Sequence, residues 1–151
     1  MQDWVKELIL EKYTPVLSQE PHLYPDDYIK TIESAIESNQ IRLIGNEKMR
    51  SVIMIVRQTA FVCSLYMFSD CKEPFKLVRF TKQAIRWIWK NTSFLKVEAS
   101  ATNTKVANLL TRCGFGVEGI RVQSFVNLDG GLSDTMIFGL VRADEEDETE
   151  N

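Results

Sequence analysis

The sequence predicts an α/β (α+β) protein with a mixed, mostly antiparallel central sheet of about six strands flanked by helices. Three stretches carry that expectation. Phe94–Ser100 alternates as a half-buried strand does, passes through a polar hinge at Ala101-Thr102-Asn103, and continues into an amphipathic segment that stops at Gly114. Ile41–Ile44, Ser51–Arg57 and Ala60–Phe68 are three β-prone runs in close succession, which reads as an antiparallel meander. Val117–Val126 and Asp134–Val141 flank a turn-rich Asn127–Gly131 and read as a hairpin.

The chain begins with two helical patterns. Asp3 suits a cap for a helix whose Trp4, Val5, Leu8 and Ile9 share one face. Pro15 and Ser18–Pro25 are expected to form a loop, and Asp26 or Asp27 to start a second helix over Asp27–Ser38. Tyr28, Ile32, Ala35 and Ile36 would face inward there, with Asn39 closing the helix. Gly45-Asn46-Glu47 is a hairpin signal between the first two strands, and Gln58-Thr59 a tight second connection.

Ser69–Asn91 follows. Pro74 fits the first turn of a helix running through Lys90, with Leu77, Phe80, Ala84, Trp87 and Ile88 as its buried stripe. Lys76, Arg79, Lys82, Arg86 and Lys90 recur every three or four residues. They read either as a solvated face or as a landing surface for an anion near a helix N-terminus.

Next, Val106, Leu109, Leu110 and Cys113 lie at helical spacing, and Gly114 supplies the left-handed residue that ends many helices, with Phe115 folding back onto it. In the hairpin, Ile120, Val122, Ser124 and Val126 alternate with Arg121, Gln123 and Phe125, so one face is expected packed and one free. Asp134 would cap a turn or orient Arg121.

Length and composition bound the class. The chain has 151 residues, 44% hydrophobic and 26% charged, which fits one globular domain over 1–142 and an acidic, disordered tail over 143–151. Eighteen bases against 21 acids give −3; without the six acids of the segment 144–150, the remainder has 18 bases against 15 acids, or +3. That is too small a positive charge to argue for nucleic acid. The tail would be solvated, or would compete for a basic groove on its own domain. No apolar run reaches membrane-span length, and charges interrupt the N-terminus, so neither a membrane partner nor a signal peptide is expected. Cys63, Cys71 and Cys113 show no CxxC spacing, which argues for a reducing, cytoplasmic setting and against a metal or disulfide framework. His22, the single histidine, lies between prolines and reads as a loop residue.

The strand–Asn103–helix–Gly114-Phe115 pattern resembles one end of the GCN5-related N-acetyltransferase (GNAT) family, closest to the branch that acetylates ribosomal-protein N-termini. Val117-Glu118-Gly119-Ile120-Arg121, the Asp129-Gly130-Gly131 turn and Asp134 are similar to that branch as well. The match spans about a third of the chain.

The resemblance implies that Ala60–Phe68 and Phe94–Ser100 splay apart to admit the pantetheine of acetyl-CoA. Backbone near Phe68, Ser69 and Asp70 would hold the arm, and Asn103 would contact it from the hinge. The family's glycine-rich phosphate loop is replaced here by Asp70-Cys71-Lys72-Glu73-Pro74-Phe75-Lys76, so phosphate contacts would fall to Lys72, Lys76 and Arg79. Glu98 is the candidate base and Tyr66 an alternative acid, because Leu110 stands where many members carry the acidic tyrosine. The family's usual entry strand has no counterpart, and a helical or abbreviated entry is expected. The function implied is acetyl transfer to a primary amine, on a protein N-terminus or a small molecule, by a monomer or homodimer. The alternative is a catalytically degenerate interaction or structural module with this fold, as in GNAT-like proteins associated with bacteriophages.

Overall fold

The structure, a computed structural model, describes residues 1–17, 25–127 and 129–143. Helices α1 (Asp3–Leu17) and α2 (Pro25–Glu37) precede β1 (Ile41–Asn46), β2 (Ser51–Arg57) and β3 (Val62–Ser69). Then come α3 (Pro74–Asn91), β4 (Lys96–Ala101), α4 (Thr104–Arg112), β5 (Gly116–Val126) and β6 (Leu132–Val141). The strands form one sheet in the order β1-β2-β3-β4-β6-β5, antiparallel except where β3 meets β4. Entry is helical: no strand precedes β1 among the described residues. His22 and the acidic segment 144–150 lie outside those residues.

Two cores follow from strand alternation. On one face, α3 and α4 pack Phe80, Ala84, Ile85, Ile88, Ala107 and Leu110 against strand residues that include Ile53, Cys63, Val97 and Phe138. Each large apolar side chain buried in this way contributes roughly 1.5–3 kcal/mol. On the other face, α1 and α2 place Val5, Leu8, Ile9, Ile29 and Ile32 over Ile41, Val52, Met54 and Phe68. This second core covers only β1, β2 and β3. The same face of β4 carries Lys96, Glu98 and Ser100, none of them buried.

Several expectations need correction. Asp3 is the first helical residue rather than the cap, and the carbonyl of Gln2 accepts the amides of Val5 and Lys6. The helix runs through Pro15 to Leu17, at the cost of the one hydrogen bond that proline cannot donate. In α2, Ile29 is buried while Tyr28, Ala35 and Ile36 are half-buried. Gly45 and Asn46 belong to β1, and the turn spans the next four residues, where the Arg50 amide donates to the Glu47 carbonyl. In α3, Ile85 is buried and Trp87 only half-buried.

The largest departure is β5. Ile120 and Val122 are 58% and 74% exposed, so the predicted packed face is absent. Its alternation is real, but β5 is the last strand of the sheet, and the register slips between Val117 and Gly119 and again between Arg121 and Phe125. Asp134 does not orient Arg121; its Oδ1 accepts the amide of Gln123, which sits in the second irregularity at φ 48°.

Candidate acyl-transfer site

The site begins where β3 and β4 part. Their parallel pairing has three positions, Val62 with Lys96, Cys63 with Val97 and Ser64 with Glu98, and then stops. Leu65–Ser69 stay bound to β2, and Ala99–Ala101 stay bound to β6. The strands therefore diverge beyond Glu98, leaving two facing backbone edges without a strand between them. Backbone donors and acceptors on such edges need partners, and an extended ligand arm can supply them as an added strand would.

The β3–α3 loop differs from a backbone anion cradle. The Asp70 amide donates to the Arg50 carbonyl at 3.1 Å, and the Cys71 amide donates to Ser69 Oγ at 3.0 Å. Those two donors are spent within the protein, and Ser69 Oγ also contacts Ser51 Oγ. The Phe68 side chain is buried in the core under α1 and α2, so only its backbone can serve a ligand. The Asp70 carboxylate is held by Lys12 Nζ at 2.6 Å and by the Arg50 guanidinium. Hydrogen bonds from Lys12 and then Arg50 hold Asp70 below the usual carboxylate range.

Beside this loop lies a cleft of about 650 Å³. Lys48, from the β1–β2 turn, joins Lys72, Lys76 and Arg79 in lining it, with Asp70 and Glu73 supplying the opposite sign. Lys76 is paired to Glu73 at 3.2 Å; Lys72 and Arg79 are exposed. Glu73 occupies the N-cap of α3 without a side-chain capping bond, and Pro74 opens the helix. The amides of Phe75 and Lys76 are thus uncapped donors at the positive end of a helix dipole.

On the other side of the fork, Asn103 caps α4: its Oδ1 accepts the Val106 amide at 2.9 Å. Leu110 is a core residue, and its carbonyl accepts the Phe115 amide at 3.0 Å. Gly114 (φ 96°) donates to Thr111, which completes the helix-ending motif expected from the sequence. The cysteines are free; burial pushes the Cys63 thiol up to about 12 and raises that of Cys113, while Cys71 is half-exposed in the cleft lining.

Glu98 stands at the apex of the fork. Alternation puts it on the same face as Ser64, its partner across the strands, and Tyr66, which is 47% exposed. Lys96 lies 3.7 Å from Glu98 and 2.8 Å from Glu118 of β5. The structure therefore brings Glu98 and Tyr66 to one open face, and Lys72, Lys76 and Arg79 to one cleft. Lys12, Lys48, Arg50 and Glu118 reach their places through turns or pairings distant in sequence, which local pattern does not show.

No protein-family model matches the chain, and no curated protein matches it. Solved structures do. It is similar to ribosomal-protein-S5-alanine acetyltransferase from Vibrio fischeri, with a TM-score of 0.64 at 15% identity over 80% of this chain and 73% of that one. Spermidine N-acetyltransferase from Vibrio cholerae, in a structure with CoA and spermine, gives 0.69 at 14% identity over 90% and 83% of the two chains. A chimera of that enzyme, SpeG, with hSSAT gives 0.70 at 13% identity over 95% and 94%. The mixed six-stranded sheet with its forked centre is thus the fold of the GNAT acetyltransferases.

Proposed function

We propose that this chain is an N-acyltransferase that moves the acetyl group of acetyl-CoA to a primary amine, on a protein N-terminus or a small molecule. The observation that carries the reading is the fork: pairing between β3 and β4 ends at Glu98, so a slot and a carboxylate meet at one point. The slot suits the pantetheine arm, held by backbone near Phe68 and Ser69, with Asn103 at the opposite lip. The amides of Phe75 and Lys76, together with Lys48, Lys72, Lys76 and Arg79, suit a diphosphate. A neighbour in fold has been crystallised with CoA and spermine, which is consistent with this cosubstrate and with an amine acceptor.

Acetyl transfer to an ammonium group requires removal of a proton before the nitrogen can attack. Glu98 takes that proton. The amine nitrogen then forms the amide bond as the thioester C–S bond breaks. Tyr66 gives its phenolic proton to the departing thiolate and recovers one from the newly acylated nitrogen. The products are the amide and free CoA thiol, with Glu98 returning its proton to solvent. The three free thiols fit a cytoplasmic protein. A monomer or homodimer is expected.

The test is a melting assay with acetyl-CoA and with desulfo-CoA. A ligand that binds only the folded state at a hundredfold its Kd adds about 2.7 kcal/mol of stability. Both compounds should raise Tm, and acetyl-CoA should release free thiol with an amine panel. Absence of any shift at millimolar concentration, with no thiol release, overturns the reading in favour of a non-catalytic module.

A further inference from the structure

Resting on the assignment of Glu98 as base, the geometry points to Glu118 as a positioning residue that, seated over Gly139, draws Lys96 to itself and leaves Glu98 only the longer contact. Lys96 and Glu98 are two apart on β4 and share a face, so opposite charges alone would draw them together. Lys96 Nζ in fact pairs with both carboxylates, but unequally: it lies 2.8 Å from Glu118 Oε1, a charge-assisted hydrogen bond, and 3.7 Å from Glu98 Oε1, a longer ion pair.

Two features of the fold allow this reach. Strand β6 lies between β4 and β5, so the Glu118 side chain must cross it to meet Lys96. The β6 residue beside Glu98 is Gly139, and a Cβ there would sit 2.4 Å from Glu118 Oε2 and 2.7 Å from Oε1. A side chain at that position would push the Glu118 carboxylate from its seat. The register also slips between Val117 and Gly119, which takes Glu118 out of the regular ladder. Such irregularities re-aim a side chain. The Glu118 hydrogen bond is the main cause of the raised Lys96 pKa.

Among the described residues, Lys96 is the cation within ion-pair distance of Glu98. Lys96 comes from its own strand, Ser64 and Tyr66 from β3, Gly139 from β6 and Glu118 from β5. Cys63, next to Ser64, feels the Glu98 charge from within the core. Lys96 is therefore shared between two carboxylates, and Glu118 holds the shorter contact.

The test uses Glu118→Ala and Gly139→Ala in the full chain, each alone and with Lys96→Met. Glu118→Ala frees Lys96; Gly139→Ala keeps the carboxylate but displaces it. Each single variant should lower kcat about tenfold, a partial loss of the roughly 10²–10⁴-fold that a general base contributes, with KM for acetyl-CoA unchanged. Adding Lys96→Met should restore kcat to within about twofold of the Lys96→Met protein. A merely structural role would not produce that rescue. Crystal structures of Glu118→Ala should place Lys96 within about 3 Å of Glu98. Wild-type kcat in both single variants, no rescue by Lys96→Met, or a Lys96 that stays away from Glu98 overturns the proposal. If the wild-type protein transfers no acetyl group to any amine, the enzymatic reading fails, while the crystal structure still decides the positioning of Lys96.

Discussion

Arg50 grips Glu11 through two parallel hydrogen bonds, Nη1 to Oε2 at 2.7 Å and Nη2 to Oε1 at 2.8 Å, and its Nη1 also contacts the Asp70 carboxylate. Arg50 is the last residue of the β1–β2 turn, held at φ 47°, and its carbonyl accepts the Asp70 amide. Lys12 closes the group from α1. One guanidinium thus ties the first helix, a hairpin turn and the loop entering α3. It also engages a negative charge at the edge of the proposed diphosphate cleft.

Replacing Arg50 with alanine should loosen all three elements. Exposed ion pairs are individually weak, but this one is bidentate and shared. We expect Tm to fall by up to about 4 °C at low salt, with the difference shrinking as salt screens the charges. Asp70 would then keep only Lys12, and the added negative potential should weaken acetyl-CoA binding severalfold. Calorimetric titration of both proteins at two salt concentrations checks this. Equal affinity would separate the clasp from the cleft.

The same group sets a pH dependence. Arg50 lowers the Glu11 pKa, and Lys12 with Arg50 lowers that of Asp70. A carboxylate depressed in the folded state contributes stability above its unfolded pKa and loses it as pH falls through the folded value. Ordinary values are 4.5 and 3.8, so stability from this group should be complete at neutral pH and decline from about pH 5 downward. Urea midpoints measured from pH 7 to pH 3 should fall less steeply for Arg50→Ala than for the wild type. Parallel curves would show that the group contributes nothing to acid sensitivity.

Asn103 offers a way to separate stability from ligand binding. Its side chain caps α4, and capping residues of this type contribute about 1 kcal/mol. Asn103→Ala should therefore lower both stability and acetyl-CoA affinity. Asp caps a helix as well as Asn, so Asn103→Asp should retain the urea midpoint. It removes the side-chain amide donor and adds a negative charge at the proposed cofactor lip, so it should still bind acetyl-CoA several times more weakly. Unchanged affinity in both variants would leave Asn103 as a cap alone.

The parts of the fold legible in the sequence are those set by near neighbours. The hinge, cap and helix end from Asn103 through Gly114 to Phe115 are fixed by residues within a dozen positions, as is the β2–β3 meander. That the strand of Glu98 borders a splayed pair follows from the resemblance; that the pairing ends at Glu98 itself is set by register. The exposed β5 was not legible, since alternation gives a strand's two faces but not its neighbour, and no layer of the described residues covers this edge. Lys48 reaches the cleft only because Asn46 pairs with Ser51 and Ser51 with Ser69. Lys96 meets Glu118 across β6, at the point where that strand carries Gly139. These relationships belong to strand order and register, which local pattern does not encode.

Cys71 reports on the cleft directly. It lines the cleft and is half-exposed, whereas Cys63 and Cys113 are buried with thiols whose pKa values are raised by burial. Thiolate is the reactive species, so both burial and a raised pKa protect the other two. At pH 8 a thiol reagent should modify one equivalent rapidly, and peptide mapping should place it on Cys71. Saturating desulfo-CoA, which has no thiol to compete for the reagent, should slow that modification about tenfold or more if the diphosphate lies against Lys72 and Lys76. Modification at the same rate with and without desulfo-CoA, under conditions where melting shows the ligand bound, would put the diphosphate elsewhere. The cationic cleft would then have no part in cofactor binding, and the amides of Phe75 and Lys76 would remain as the anion contacts to test.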